Sequence, residues 1–191
     1  MRLNATFALD HLADKTSIPY LMLALRDPDT QNVIPPSAYG MLHKLIPALG
    51  PAQGSGYFAI HRAAEDQHLN AWWSDELNGK HLKPQDKPAS TEDTPDDPVR
   101  LNTLLFVPYA ATRQAAIAKL ETRADAASIP YLVLALQDPD SSVAYGAYKT
   151  LHRLIPSLGT AEGNGAFVAS RAAEIQPIYD WWRDELLGKH L

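Results

Sequence analysis

The chain has 191 residues, 46% of them apolar and 20% charged, enough for one large domain or two small ones with cores of their own. A net charge of −5, with Lys and Arg scattered, speaks against a nucleic-acid surface, which needs a basic patch to neutralise phosphates. The absence of cysteine excludes disulfides, thiolate catalysis and cysteine-ligated zinc. No run of about 18 apolar residues is present to span a membrane, and the N-terminus lacks the charged-then-apolar pattern of a signal peptide. A soluble protein is expected, with the choice between cytoplasm and periplasm left open.

Residues 2–12 place Leu3, Thr6 or Phe7, and Leu9 or Leu12 at three-to-four spacing, which predicts an amphipathic helix. The same helix recurs at 113–123, with Arg2 over Arg113, Ala5 over Ala116 and Leu9 over Leu120. In the next stretch the recurrence is explicit. SIPYLMLALRDPD at 17–29 and SIPYLVLALQDPD at 128–140 agree at eleven of thirteen positions, offset by 111. Asp14 and Asp125 fall in the preceding turn. Each stretch reads as a helix with proline in its first turn (Pro19, Pro130), where a missing N–H is harmless. Ile129, Leu132, Ala135 and Leu136 share one face. Asp-Pro-Asp then stops the helix, because the residue before proline is pushed out of the α region. Asp140, Ser141 and Ser142 offer oxygens to cap the next helix.

That third helix is expected at about 142–155, burying Val143, Ala147, Leu151 and Leu154. Its partner, at about 35–46, follows two extra residues, which change the offset to 109. Glycine-containing loops come next, at 50–56 and 159–165, and then long last helices at 57–78 and 166–187. These carry Trp72-Trp73 and Trp181-Trp182, and Gly79 and Gly188 fit helix stops. Pro177 is expected to bend or break the second version. Between the copies, residues 83–97 are rich in proline, acidic and small polar residues, with nothing apolar beyond Ala89, and read as a linker. The organisation is therefore a helical block at 1–82, a linker at 83–97 and a second block at 98–191. An apolar segment at 99–110 opens the second copy and has no counterpart upstream of Met1. Either the first copy is naturally short, or residues were removed before it.

The paired tryptophans suggest a ligand platform, but adjacent Trp residues on a terminal helix are better read as a cap over an open helical end. Among the seven histidines, His61 and His68 lie two helical turns apart, too far for one ion unaided. Asp75-Glu76 and Asp184-Glu185 are sequence neighbours that point apart on a helix, a solvated face and not a pair of catalytic carboxylates. The loops around Gly54-x-Gly56 and Gly163-x-Gly165 precede helix N-termini but lack the lysine of a phosphate loop. No metal site and no cofactor are expected.

The paired helices joined by L-x-x-A-L-x-D-P-D resemble HEAT-type repeats, in the short bacterial form of bilin-lyase-related proteins. The matching residues are Ile18 to Leu21 and Leu25 to Asp29, then Ile129 to Leu132, Leu136 to Asp140 and Val143. HEAT repeats usually place Arg after that Val. Ala144 stands there instead, while Val99-Arg100 carries the pair. The resemblance implies an all-α fold, a short α-solenoid of helical hairpins duplicated within the chain, each copy ending in a Trp-containing capping helix. It implies a non-catalytic scaffold that binds a protein partner. The contact residues expected from the polar positions of the third helices are Tyr39, His43, Lys44, Tyr148, His152 and Arg153. Two blocks on a tether would suit bivalent binding. The alternatives are a self-assembling homo-oligomer, in which one chain's 99–110 covers another's residues 2–25, and a HEAT-fold enzyme or lyase subunit.

Overall fold

A computed structural model of the chain describes residues 17–25, 34–80 and 96–186. The expected helix at 2–12, Asp14, the turn at 26–33 and nearly all of the expected linker lie outside these residues. Among the described residues the regular elements are helices, with no strand. They are α1 (Ile18–Ala24), α2 (Ile34–Leu45), α3 (Ser55–Leu77), α4 (Pro98–Leu104), α5 (Ala110–Arg123), α6 (Ile129–Ala135), α7 (Ser141–Leu154), α8 (Asn164–Ala169) and α9 (Arg171–Leu186). None of them is long and apolar enough to cross a membrane. The chain forms two compact units that divide between Trp72 and Trp73, inside α3 and well before residue 83.

In the first unit α1 packs on α2. Pro19 sits in the first turn of α1, and Ile18, Leu21, Met22 and Leu25 are buried. Helix α2 stops at Leu45 because Ile46 precedes Pro47 and takes up φ −122°, ψ 83°, outside the helical region. A single 3₁₀ turn, Pro47–Leu49, follows and ends at Gly50 with φ +75° and ψ −174°, a conformation open essentially to glycine alone. Phe58 and Leu69 of α3 are buried. The helix is kinked at His61 (φ −108°, ψ 16°).

The second unit repeats these local solutions. Pro156–Leu158 is again a 3₁₀ turn, entered through Ile155 (φ −124°, ψ 82°) and left through Gly159 (φ +78°). Asp97 caps α4 by accepting from the Arg100 N–H, Asp125 accepts from the Ala127 N–H, and Asp140 caps α7 by accepting from the Ser142 and Val143 N–H groups. The apolar face expected on α6 extends round the whole helix: Leu132, Val133, Leu134, Ala135 and Leu136 are all buried, as an all-apolar helix requires. Helix α7 packs against both α5 and α6 and supplies Val143, Ala147 and Leu151 to a core shared with Leu101, Leu120, Phe167 and Ile178. Gly146 allows the close approach to α5, since a Cβ there would stand 2.7 Å from Ile117 Cγ1.

One expectation is corrected. Pro177 does not break the last helix, because α9 runs through it from Arg171 to Leu186. The interruption lies at Ser170 (φ −128°, ψ 27°), between α8 and α9. It falls at the position matching the His61 kink, so it belongs to the unit's design and not to one proline. The second compact unit begins at Trp73, before residue 98. Trp73, 6% exposed, places its ring 5.9 Å from that of Phe106, and the Leu77 carbonyl accepts a bond from Arg113 Nη1 at 2.7 Å. The end of α3 is built into the second unit.

Candidate functional site

The residues expected to make contacts sit on α2 and α7, and three of the six turn inward. Tyr148 packs its ring 4.7 Å from Phe167 and 4.4 Å from His152. Its hydroxyl donates to Glu174 Oε2 at 2.8 Å and accepts from the Glu162 N–H at 3.1 Å. His152 Nδ1 donates to the Gly159 carbonyl at 2.9 Å, bracing the positive-φ glycine that ends the 3₁₀ turn. In the first unit, Tyr39 lies 4.7 Å from Phe58 and 4.4 Å from His43, and His43 Nδ1 donates to the Gly50 carbonyl at 2.9 Å. Burial pushes both tyrosine hydroxyls above the ordinary phenol value, and the neighbouring carboxylates of Glu65 and Glu174 push the same way. Both hydroxyls therefore stay protonated and able to donate.

Arginines tie the helix ends. Arg62 Nη2 donates to the Leu25 carbonyl at 2.6 Å, just past α1. Its counterpart Arg171 donates from Nε to the Leu136 carbonyl at 3.1 Å and from Nη2 to the Asp138 carbonyl at 2.8 Å. These are carbonyls that a helix C-terminus leaves without intrahelical partners. Arg113, 1% exposed, holds the same Asp-Pro-Asp turn through its side chain: Nε meets Asp138 Oδ2 at 2.7 Å and Nη2 meets Oδ1 at 2.9 Å. Arg113 Nη1 also donates to the carbonyls of Leu77 and Val107, at 2.7 and 2.8 Å. Burial pushes the Asp138 carboxyl above its ordinary range, against the pull of the Arg113 guanidinium and the Asp140 N–H. The pair is thus expensive to bury, and its value lies in holding four segments in register.

Of the six expected contact residues, Tyr39 and Tyr148 are each 1% exposed and His43 is 8% exposed, so these three face the interior. A tyrosine or histidine on an amphipathic helix reads as polar surface, yet here each ring is core and each polar atom bonds the neighbouring loop. His152 is half-buried and makes the same loop contact. Arg153 is exposed along its length but donates to the Ala124 carbonyl at 3.0 Å, closing the end of α5. Lys44 is exposed. The structure thus leaves Lys44, with the outer parts of His152 and Arg153, at the surface. Sequence reasoning missed the roles of Arg62, Arg113, Arg171, Glu65 and Glu174. The available signal was that every one of them has an identical residue at the matching position of the other copy.

Large apolar side chains do reach solvent elsewhere. On the short segment before each helix interruption stand Tyr57 and Ile60 in the first unit and Val168 in the second, with Ile60 80% exposed. Tyr57 stacks on His61 with ring centroids 4.1 Å apart. Of the tryptophans, Trp73 is buried, and Trp181 and Trp182 are half-buried with their rings 6.4 Å apart. Among the described residues no group of three or more His, Asp and Glu stands close enough to hold a metal ion. The chain matches no protein-family model, no curated protein and no solved structure.

Proposed function

We propose that the chain is a non-catalytic scaffold made of two copies of one HEAT-like helical unit, which offers exposed side chains to a protein partner. The observation that carries this reading is the recurrence of one internal brace. Tyr39 with His43 and Tyr148 with His152 make matching ring contacts, and each histidine reaches its glycine carbonyl at 2.9 Å. Arg62 and Arg171 each close the end of the preceding short helix. The polar residues the two copies share are engaged in holding the unit together. Exposed side chains that the copies do not share include Ile60 and Tyr57 in one and Val168 in the other. Exposed aromatic and aliphatic groups of this kind anchor protein interfaces.

A photoreactive residue placed at position 60 or 168 tests the reading. One and the same protein should be captured at both positions from the native cell, and Ile60→Asp together with Val168→Asp should abolish its binding while leaving the unfolding transition in place. Equal capture at an unrelated exposed position such as Gln67, or binding that survives both substitutions, refutes it.

A further inference from the structure

We propose that Asn164-Gly165 is a site of spontaneous modification, where the asparagine deamidates to aspartate and isoaspartate, and that the fold directs this chemistry to it and away from Asn78-Gly79. These are the two Asn-Gly pairs of the chain. Both reactants belong to the chain, and water is the only other reagent. The nitrogen of the following residue attacks the asparagine Cγ, a succinimide ring closes and ammonia leaves. Water then opens the ring at either carbonyl, giving the aspartyl or the isoaspartyl product. Glycine favours the attack because no Cβ crowds its nitrogen. Both asparagines are exposed, so access of water does not separate them. The attacking nitrogens do. Past the end of α3, the Gly79 N–H donates to the Glu76 carbonyl at 2.9 Å and the Lys80 N–H to the Asp75 carbonyl at 3.0 Å, with Gly79 at φ +70°. This is the Schellman closure of a helix, and it holds the Gly79 nitrogen. The carbonyl just ahead, that of Leu77, is pinned by Arg113 Nη1 at 2.7 Å. Nothing comparable restrains Gly165. Its N–H lies where no intrahelical carbonyl is available, Gly163 before it supplies no capping side chain, and it has no hydrogen-bond partner among the described residues. A Cβ built on Gly165 would meet nothing within 4 Å, so the ring has room to close. Ser55-Gly56 stands at the matching place of the first copy, so the second copy alone carries the site. Its products put a new negative charge, and in the isoaspartyl form an extra main-chain methylene, just ahead of Phe167, a buried ring packed 4.7 Å from Tyr148.

Mass spectrometry of the full-length chain, held folded at neutral pH and digested in acid at intervals, reads the reaction at both positions. Aspartate and isoaspartate should build up at 164 about tenfold faster than at 78, the factor expected if the hydrogen bonds past the end of α3 must open before Gly79 attacks. In urea, where both pairs are released, the two rates should come together. In the folded chain, Gly165→Ala should slow the reaction at 164 and leave that at 78 unchanged. Equal rates in the folded chain, faster reaction at 78, or a difference that survives in urea each overturn the proposal. So does an Asn164 that stays intact over a period in which a free peptide of residues 161–168 reacts.

Discussion

Replacing Arg113 with methionine keeps most of the stem volume and removes the charge, so it isolates what the guanidinium does. Its two bonds to Asp138 and its bonds to the Leu77 and Val107 carbonyls would all be lost. Cutting one partner out of a buried ion pair costs roughly 3–5 kcal/mol, because the other charge stays buried and uncompensated. Each orphaned carbonyl adds up to about 1–3 kcal/mol, less where water reaches it, as at half-buried Val107. The ion-pair loss alone, about 4 kcal/mol, is a large part of the roughly 5–15 kcal/mol that holds a domain folded. Urea unfolding followed by circular dichroism should show the midpoint fall sharply with the slope unchanged. The double variant Arg113→Met with Asp138→Leu should recover much of the loss, since it removes the stranded carboxylate as well. If Arg113→Met alone costs less than about 1 kcal/mol, the guanidinium is not the tie described here.

Other substitutions probe separate links. Tyr39→Phe and Tyr148→Phe should each lower stability by about 1 kcal/mol, the net worth of a hydrogen bond, and by similar amounts in thermal unfolding because the two hydroxyls do the same work. Gly146→Ala should destabilise by about 1–3 kcal/mol through overpacking against Ile117, reduced by the better helix propensity of alanine. Adding Ile117→Ala should make the double variant less damaged than the sum of the two singles. At the surface, Asp96 lies 3.0 Å from Lys119 and 3.4 Å from Arg123, and its hydrogen bond to Lys119 holds its carboxyl below the ordinary value. Its contribution is therefore present above the unfolded-state carboxylate pKa and lost as pH falls through the lower folded one. The melting temperatures of the wild type and Asp96→Asn should differ slightly at neutral pH and converge in acid.

Much of the helical layout was legible in the sequence because local chemistry sets it. Pro19 and Pro130 mark helix starts, and the prolines after Ile46 and Ile155 enforce helix stops. The positive-φ glycines close the turns, and the carboxylate of Asp140 caps α7 where expected. The kinks at His61 and Ser170 were not legible, since neither residue is a helix breaker and Pro177 was the more obvious suspect. The burial of Tyr39, His43 and Tyr148 was not legible for a related reason. Spacing tells which side of a helix a tyrosine occupies, not whether its hydroxyl finds a carboxylate on another helix, as Tyr148 finds Glu174. Arg113 was invisible as a core residue because charge alone argues for the surface. Only the match of both Arg113 and Asp138 with residues of the first copy hinted that they act as a pair.

The end of α3 also bears on how such a chain can be shortened or cut. The repeating unit of the sequence and the unit that folds are out of phase by about one helix end. A fragment beginning at residue 98 would carry a whole copy of the repeat yet leave Arg113 facing the place Leu77 should fill. A cut anywhere between residues 83 and 97 separates Arg113 from the Leu77 carbonyl and Phe106 from Trp73. The second compact unit begins at Trp73, ahead of the repeat boundary.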